Sequence, residues 1–174
     1  DDDYTLTNAT CRDLFFQWAF CATAATIVSG GVAERMRLPV YALYSAIMTG
    51  IIYPFIVYCT WSGTGFLYLF YGADSEKVGY RDFAGSGVVH MTGGVAALCG
   101  AKIIGPRSGR FVERKPVPMP GHSSVLQVLG TFILWLGWYG FNAGSTLSIT
   151  ESTAGTAGRV VLTTTLSASA GGIG

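Results

Sequence analysis

Residues 82–94 read DFAGSGVVHMTGG, and this stretch decides how the rest of the chain is interpreted. His90 stands inside a run from Phe83 to Ala101 that is 19 residues long and, with histidine counted as neutral, uncharged. Because about 20 apolar residues are enough for a helix to cross a bilayer, the run predicts a membrane-spanning helix. An ionisable side chain at that depth is costly and marks a candidate site for handling ions or protons. The alternative is a histidine that only hydrogen-bonds a neighbouring helix.

The composition is typical of a membrane protein. Half of the residues are hydrophobic, only 12% are charged, and the mean hydropathy is +0.43, whereas soluble domains carry about 25% charged residues. The net charge of +1 provides no basic footprint for nucleic acid. The four cysteines lie far apart without metal-ligand spacing, and no nucleotide motif is recognisable, so no cofactor is expected. They are Cys11, Cys21, Cys59 and Cys99.

Uncharged segments predict an all-α, polytopic membrane protein. The predicted helices cover residues 14–33, 38–60, 83–101, 124–145 and 160–174. The last of them contains TTTLSASAGG, which suits packing against other helices better than contact with lipid. The stretch WSGTGFLYLFYGA, residues 61–73, predicts an outer loop or a re-entrant segment. Since the chain begins with DDDYTLTNATCRD, without methionine or an apolar leader, we expect a piece of a longer protein, truncated at both ends.

The charges of the loops predict the orientation in the membrane. Two loops, residues 34–37 and 102–123, contain seven basic and two acidic residues, and the remaining segments contain four basic and eight acidic ones. Lysine and arginine concentrate on the cytoplasmic side of membrane proteins. We therefore expect these two loops inside, and the N-terminal aspartates, Trp61 and Asp82 outside.

Small residues predict that the helix carrying His90 packs inside a bundle. Gly93, Ala97 and Ala101 recur every four residues along it. This spacing lets two helix backbones approach closely. His90 is therefore expected to face protein or a pore rather than lipid.

Aromatic and polar residues on other segments predict a path for a small cation. Phe16 and Phe20 are four residues apart and share a face of the first helix. On the fourth helix, Trp138, Phe141 and Ser145 follow i, i+3, i+7 spacing and also share a face.

A vestibule can be assembled from these residues. An aromatic face attracts a cation, and a serine hydroxyl accepts a hydrogen bond, so Trp61, Phe20 and Ser145 would suit a small cation that donates hydrogen bonds. Asp82 marks the outer end of the third helix. His90 is expected about 12 Å deeper, at 1.5 Å per residue.

Each of these residues also has a simpler explanation. Trp61 suits the aromatic belt at a membrane interface, and the phenylalanines suit a packed core. Ser145 could hydrogen-bond back to its own helix, and Asp82 could cap the third helix. His122 lies in the basic inner loop and is interpreted as solvated.

Three stretches closely resemble the ammonium transporter family, which is related to the Rh proteins. They are FFQWAF…GGVAERMR (residues 15–37), DFAGSGVVHMTGGVAALCGAKIIGPR (82–107) and GWYGFNAGS (137–145). The resemblance implies a fold of about eleven membrane helices in two inverted halves, assembled as a homotrimer with one pore per subunit. The chain is similar to the third helix through the start of the seventh, under half of a typical member.

The resemblance also implies roles for individual residues. Phe20, Trp61 and Ser145 match the outer ammonium-binding site, and Phe20 and Phe141 match a stacked phenyl gate. Asp82 matches an aspartate near the outer site that supports structure and ammonium recognition. His90 matches the first of two pore histidines, and the second belongs to a later helix outside these residues. Trp61 and Ser145 favour an ammonium transporter over an Rh protein.

The function implied is transport of ammonium or ammonia, with methylammonium as an analogue, through a hydrophobic pore. Ammonium is recruited, deprotonated and passed along the pore with the help of His90, without covalent chemistry, so the protein is not expected to be an enzyme. Expected partners are the lipid bilayer, two further copies of the chain and a cytoplasmic regulatory protein, and the plasma membrane is the expected location. The alternatives are an ammonium sensor of the same fold and an Rh-like channel for neutral gas.

Overall fold

Nearly all regular structure in the described part of this computed structural model is helical. The structure describes residues 8–69 and 79–173, without the side chains of residues 8–10, 69 and 151. The chain divides into two compact units, Asp1–Val117 and Pro118–Gly174.

The first unit contains seven helical segments and a short strand pair among its described residues. In chain order these are α1 (Asn8–Val32), α2 (Leu38–Ile47), the π-helical segment π1 (Met48–Ile52), α3 (Tyr53–Trp61), α4 (Phe66–Leu69), the π-helical segment π2 (Ser86–Met91), α5 (Thr92–Ile104), β1 (Phe111–Val112) and β2 (Lys115–Pro116).

Close contact between α1 and α5 depends on residues without bulk. A Cβ atom at Gly93 would lie 2.8 Å from Ile27 Cβ and 2.9 Å from the Ala24 carbonyl oxygen. A Cβ atom at Gly31 of α1 would lie 2.8 Å from Ala97 Cβ. These distances are too short for real side chains, so the two backbones meet because both positions are glycine. The small-residue face predicted from Gly93 and Ala97 therefore does pack against a helix.

Three segments form one helical stretch from Leu38 to Trp61, as α2, π1 and α3 follow one another without a break. Pro54 stands in the first turn of α3. Proline lacks an N–H and its ring clashes with the carbonyl four residues earlier in a regular α-helix. The π-helical segment ends at Ile52, immediately before this turn. A local π-helical widening is a common way for a helix to accommodate an irregular residue.

The helix that carries His90 starts later than expected. It consists of π2 and α5, Ser86–Ile104, rather than residues 83–101. Gly85, just before the helix, has φ +86°, and Gly105, just after it, has φ +82°, values that glycine adopts without the steric cost that a side chain would bring. The helix also continues past the charged Lys102 to Ile104, whereas the end of the uncharged run predicted that it would stop at residue 101.

A β-hairpin lies in the basic loop between α5 and α6, where no strand was predicted. β1 and β2 are antiparallel, and the two residues between them, Glu113 and Arg114, have φ of 50° and 64°. Two successive left-handed residues are characteristic of a two-residue type I′ turn. The Val117 N–H donates to the Arg110 carbonyl oxygen at 2.8 Å and extends the pairing.

The second unit contains α6 (Ser124–Trp138), the π-helical segment π3 (Tyr139–Ala143) and α7 (Glu151–Gly171). The last helix begins at Glu151 rather than at Val160. A capping box explains the early start: the Thr150 side chain accepts from the backbone of Thr153, and the Thr150 N–H donates to the Thr153 hydroxyl at 3.2 Å. The contact with π3 includes the Asn142 side-chain amide, which donates to the Thr164 hydroxyl at 3.1 Å.

Four helical stretches in the described part of the chain are long and apolar enough to cross a membrane. They are Cys11–Val32, Leu38–Tyr68, Ser86–Ile104 and Ser124–Ala143. Large apolar side chains project from them, among them Leu98 and Leu136, and in water such surfaces would be unfavourable. The loop predicted for residues 61–73 contains α4, and its residues 70–73 lie outside the described part.

Candidate functional site

The Asp82 carboxylate caps the helix that carries His90. One oxygen, Oδ1, accepts from the N–H groups of Gly85 at 2.7 Å and Ser86 at 2.9 Å. The other, Oδ2, accepts from Gly87 at 2.8 Å and Val88 at 2.7 Å. The first N–H groups of a helix have no partner within the helix, so an anion placed there satisfies them and meets the positive end of the helix dipole. The predicted capping role of Asp82 is confirmed.

Two aromatic residues fix the surroundings of Asp82. The Trp61 indole N–H donates to the Asp82 carbonyl oxygen at 2.8 Å, and the Tyr80 hydroxyl donates to Asp82 Oδ2 at 3.4 Å. Burial raises the pKa of the Tyr80 phenol, and the charge of Asp82 and this hydrogen bond add to the increase. Tyr80 therefore stays a neutral donor at physiological pH.

Trp61 and Phe20 lie side by side. Their ring centroids are 6.0 Å apart with an interplanar angle of 62°, an edge-to-face arrangement. Phe16 extends the cluster on α1, with its ring centroid 4.5 Å from that of Phe20, as their four-residue spacing predicts. Phe20 is only 2% exposed, so its ring is closed to solvent in this conformation. A cation can reach it only after a neighbouring group moves.

His90 lies in π2 and is half-buried. Its ring nitrogen Nδ1 lies 3.2 Å from the Gly85 carbonyl oxygen. A carbonyl oxygen only accepts, so this contact is a hydrogen bond when Nδ1 carries the proton. The same oxygen accepts from the backbone N–H groups of Val89 and His90, both at 3.0 Å. The His90 ring is thus held against the first turn of its own helix.

The depth predicted for His90 needs correction. The estimate assumed a regular helix from Asp82, with a rise of about 1.5 Å per residue. The structure instead has a non-helical cap from Asp82 to Gly85 and then a π-helical segment from Ser86 to Met91. The estimate of about 12 Å therefore does not apply.

The second unit holds the remaining predicted site residues. Phe141 lies within π3, and Ser145 follows that segment in a turn. The Ser145 hydroxyl donates to the Phe141 carbonyl oxygen at 2.8 Å, which is the back-bonding alternative considered from sequence. Because π3 interrupts the α-helical repeat, the i, i+3, i+7 spacing of Trp138, Phe141 and Ser145 does not place them on one regular face.

The structure brings Phe20, Trp61, Asp82 and the first turn of the His90 helix together in the first unit. It places Phe141 and Ser145 in the second. His122 is exposed, as predicted. Gly85 and Tyr80 were missed, although the sequence Tyr80-Arg81-Asp82 and the glycine three residues after Asp82 were visible signals.

Comparisons with known proteins agree on the family. The Ammonium Transporter Family model matches residues 3–174. Ammonium transporter Amt1 of Haloferax mediterranei is 50% identical over 173 residues, covering 92% of this chain and 33% of that protein. Ammonium transporter 1 member 4 of Arabidopsis thaliana is 48% identical over 167 residues, covering 87% and 32%. Ammonium transporter Amt2 of Methanocaldococcus jannaschii is 47% identical over 160 residues, covering 92% and 34%.

The helices and the family match together define a polytopic membrane protein, and the chain belongs to the ammonium transporter family. The resemblance found in the sequence motifs is confirmed. The chain spans about a third of the length of the curated relatives it matches. No solved structure matches the chain.

Proposed function

We propose that the whole protein carries ammonium or ammonia across a membrane through a hydrophobic pore. The observation that supports the proposal is the Trp61–Phe20 pair, whose ring centroids are 6.0 Å apart. The Trp61 indole N–H donates to Asp82, and this hydrogen bond connects the pair to the capped end of the His90 helix. Membership of the family and the printed names of its relatives supply the solute. Methylammonium serves as the analogue in transport assays.

The first step in this proposal is recruitment at the outer site. Trp61 offers the face of an indole, the strongest aromatic partner for a cation, and Ser145 supplies a hydroxyl oxygen. In the conformation described, the Ser145 hydroxyl donates to the Phe141 carbonyl oxygen at 2.8 Å, and its lone pairs are the acceptors for an ammonium N–H. Asp82 acts indirectly, because its carboxylate accepts four backbone N–H groups and its carbonyl oxygen fixes the indole.

The second step is passage through the gate. We assign Phe20 and Phe141 to a stacked pair of rings that excludes water. The almost complete burial of Phe20 supports this role, and it implies that the ring moves when a solute passes. Deprotonation before passage lowers the barrier, because a bare cation in an apolar tube is far costlier than neutral ammonia.

The third step is handling of the proton along the pore, which we assign to His90. Its ring lies against the outer end of its helix, with Nδ1 beside the Gly85 carbonyl oxygen. A histidine can take up or release a proton near neutral pH. A second pore histidine from a later helix completes this part of the route.

The surroundings of the protein follow from the same proposal. The helices cross the plasma membrane with Trp61 and Asp82 outside, three copies assemble with one pore each, and the cytoplasmic face is available to a regulatory protein. The transport steps require no bond to be made or broken other than proton transfer, so the protein is not an enzyme. The net result is uptake of nitrogen.

The test replaces Trp61 in the full-length protein, reconstituted in liposomes. A cation–π contact contributes about 0.5–2 kcal/mol, so Trp61→Leu should raise the half-saturating ammonium concentration several-fold to about thirtyfold. Trp61→Phe retains an aromatic face but loses the indole donor to Asp82, so it should have a smaller effect. Current and methylammonium uptake after an ammonium step are the measurements.

The matched control is Trp18→Leu, because Trp18 is 61% exposed on α1 and its ring lies against Phe15. It should leave half-saturation unchanged. An unchanged half-saturation in correctly folded Trp61→Leu protein would remove Trp61 from the outer site. Binding of ammonium without any flux in the unmodified protein would identify a sensor instead of a transporter.

A further inference from the structure

Gly85 joins the capped outer end of the His90 helix to the His90 ring. Its N–H donates to Asp82 Oδ1 at 2.7 Å. Its carbonyl oxygen accepts from the N–H groups of Val89 and His90 and lies 3.2 Å from His90 Nδ1. Gly85 therefore contacts both the Asp82 carboxylate, which caps the helix, and the His90 ring, which the proposed function places in the pore.

The backbone of Gly85 reaches these partners through a conformation that other residues rarely adopt. Its φ is +86°, in the left-handed region where a Cβ atom is sterically unfavourable. This dihedral angle sets the direction of the carbonyl group at the start of π2. A residue confined to negative φ would turn that carbonyl away from Nδ1.

The space next to Gly85 is already filled. A Cβ atom there would lie 2.6 Å from Val89 Cγ2, too close to be accommodated without movement, and 3.5 Å from Phe20 Cδ1, an ordinary contact. Val89 is fully buried and Phe20 is almost so, so Val89 has little room to yield. Any side chain at this position would therefore push on the residue that directly precedes His90.

We propose that Gly85 is the positioning residue of the pore histidine: its left-handed backbone and absent side chain aim the His90 ring and keep it in register with the outer site. The proposal rests on the transport function proposed above. It assigns Gly85 no contact with the solute. Gly85 acts through His90 on the rate of passage. Its replacement by alanine should leave recruitment by Trp61 essentially intact, because alanine keeps the N–H that donates to Asp82 and the indole donates to the Asp82 carbonyl oxygen.

The experiment compares Gly85→Ala with Gly94→Ala in the full-length protein. Gly94 lies on the same helix, and a Cβ atom there would have nothing within 4 Å, so it is a matched control. Gly85→Ala should lower maximal methylammonium uptake by at least about tenfold, as expected when a reacting group is misplaced. Half-saturation should stay within about twofold of the unmodified protein, since the outer site is retained. Gly94→Ala should match the unmodified protein in both.

A second substitution tests the cause. Val89→Ala removes the methyl groups that an alanine at position 85 would strike, so Gly85→Ala should reduce uptake less in the Val89→Ala background than alone. If neither Gly85→Ala nor the double variant assembles, Gly85 serves folding and the positioning role is wrong. A rise in half-saturation with unchanged maximal uptake would also overturn it.

A readout independent of transport separates this proposal from the proposed function. The ring nitrogen signals of His90 in solid-state nuclear magnetic resonance spectra can be assigned by their absence in His90→Ala. They should shift in Gly85→Ala and stay in place in Gly94→Ala. If the unmodified protein moves no methylammonium, the transport proposal fails, and these signals alone decide the role of Gly85. Identical His90 signals in Gly85→Ala and unmodified protein would refute it.

Discussion

The Asp82 side chain shows how much depends on both oxygens of one carboxylate. Each oxygen accepts two backbone N–H groups. An asparagine retains a single acceptor oxygen, and in either orientation its amide nitrogen would face two of these four N–H groups. Asp82→Asn should therefore cost about 1–3 kcal/mol of unfolding free energy, the usual penalty for buried donors left without acceptors. Thermal unfolding of the purified full-length protein measures the loss.

A control for this substitution lies on α1. Asp13 pairs with Arg12 at 2.8 Å, and both side chains are largely exposed. Exposed pairs contribute about 0–1 kcal/mol, so Asp13→Asn should change the unfolding temperature little. Equal, small changes in the two variants would show that Asp82 is not needed as a cap.

Single residues of the site were predictable where a side-chain type has a standard local role. An aspartate shortly before a helix predicts a cap, and a serine at a helix end predicts a bond to the preceding turn. The Asp82 and Ser145 hydrogen bonds agree with these expectations. The glycine at position 85 was a visible signal, but the positioning role that we propose for it was not predictable, because that role depends on a positive φ and on the position of Val89.

Helical elements were predictable from runs without charge, and their ends were not. A charged residue marks the end of a helix only when that residue lies outside the helix, whereas Lys102 lies within α5. The three π-helical segments of the described residues were also missed. A π-helical turn contains about one residue more than an α-helical turn, and runs of uncharged residues do not show this difference. Spacing arguments that cross such a segment fail, as they do for Phe141 and Ser145.

The close contact between α1 and α5 predicts how a substitution at Gly93 changes stability. A Cβ atom at Gly93 would come within 2.9 Å of backbone and side-chain atoms of α1, so Gly93→Ala must separate the helices or strain them. Overpacking of this kind costs about 1–3 kcal/mol. Differential scanning fluorimetry of the full-length protein should show the corresponding loss of stability.

Gly94→Ala provides the comparison, since the neighbouring position has open space around it. It should be neutral or should add up to about 1 kcal/mol, because alanine favours the helical conformation more than glycine does. If the two alanine variants were equally stable, the close approach of the two helices would not depend on Gly93.

The chain spans about a third of the length of its curated relatives. The family could be predicted from motifs because they lie in continuous stretches. An arrangement of all the proposed site residues could not be predicted, because they belong to two separate units of the chain. Predictions about the pore therefore concern the assembled full-length protein.

For the full-length protein, the prediction concerns His90. If His90 has the role that we propose, His90→Ala should abolish or uncouple the ammonium current, because the variant has no side chain there that can carry a proton. His90→Asp should weaken discrimination against potassium, because an anion at that position would stabilise cations that enter with their charge. If His90 only packs, both variants should lose about 0.6 kcal/mol of stability and transport normally.

The measurements are current and methylammonium uptake in liposomes, after each purified full-length protein has been checked for thermal stability. His122→Ala is the control, because His122 is exposed and its replacement should change neither current nor uptake. Normal, potassium-discriminating current in both His90 variants would return this residue to a packing role.

The cap at Asp82 has a consequence for the electric field that an arriving cation meets. The start of a helix carries a partial positive charge of about half an elementary unit, and without a counter-charge the helix that begins at Ser86 would repel any cation that approaches this end. The Asp82 carboxylate more than offsets that charge, from a place where backbone donors occupy both of its oxygens. If this end is the entrance that we propose for ammonium, Asp82 attracts the cation without trapping it, because the cation does not bind the carboxylate directly.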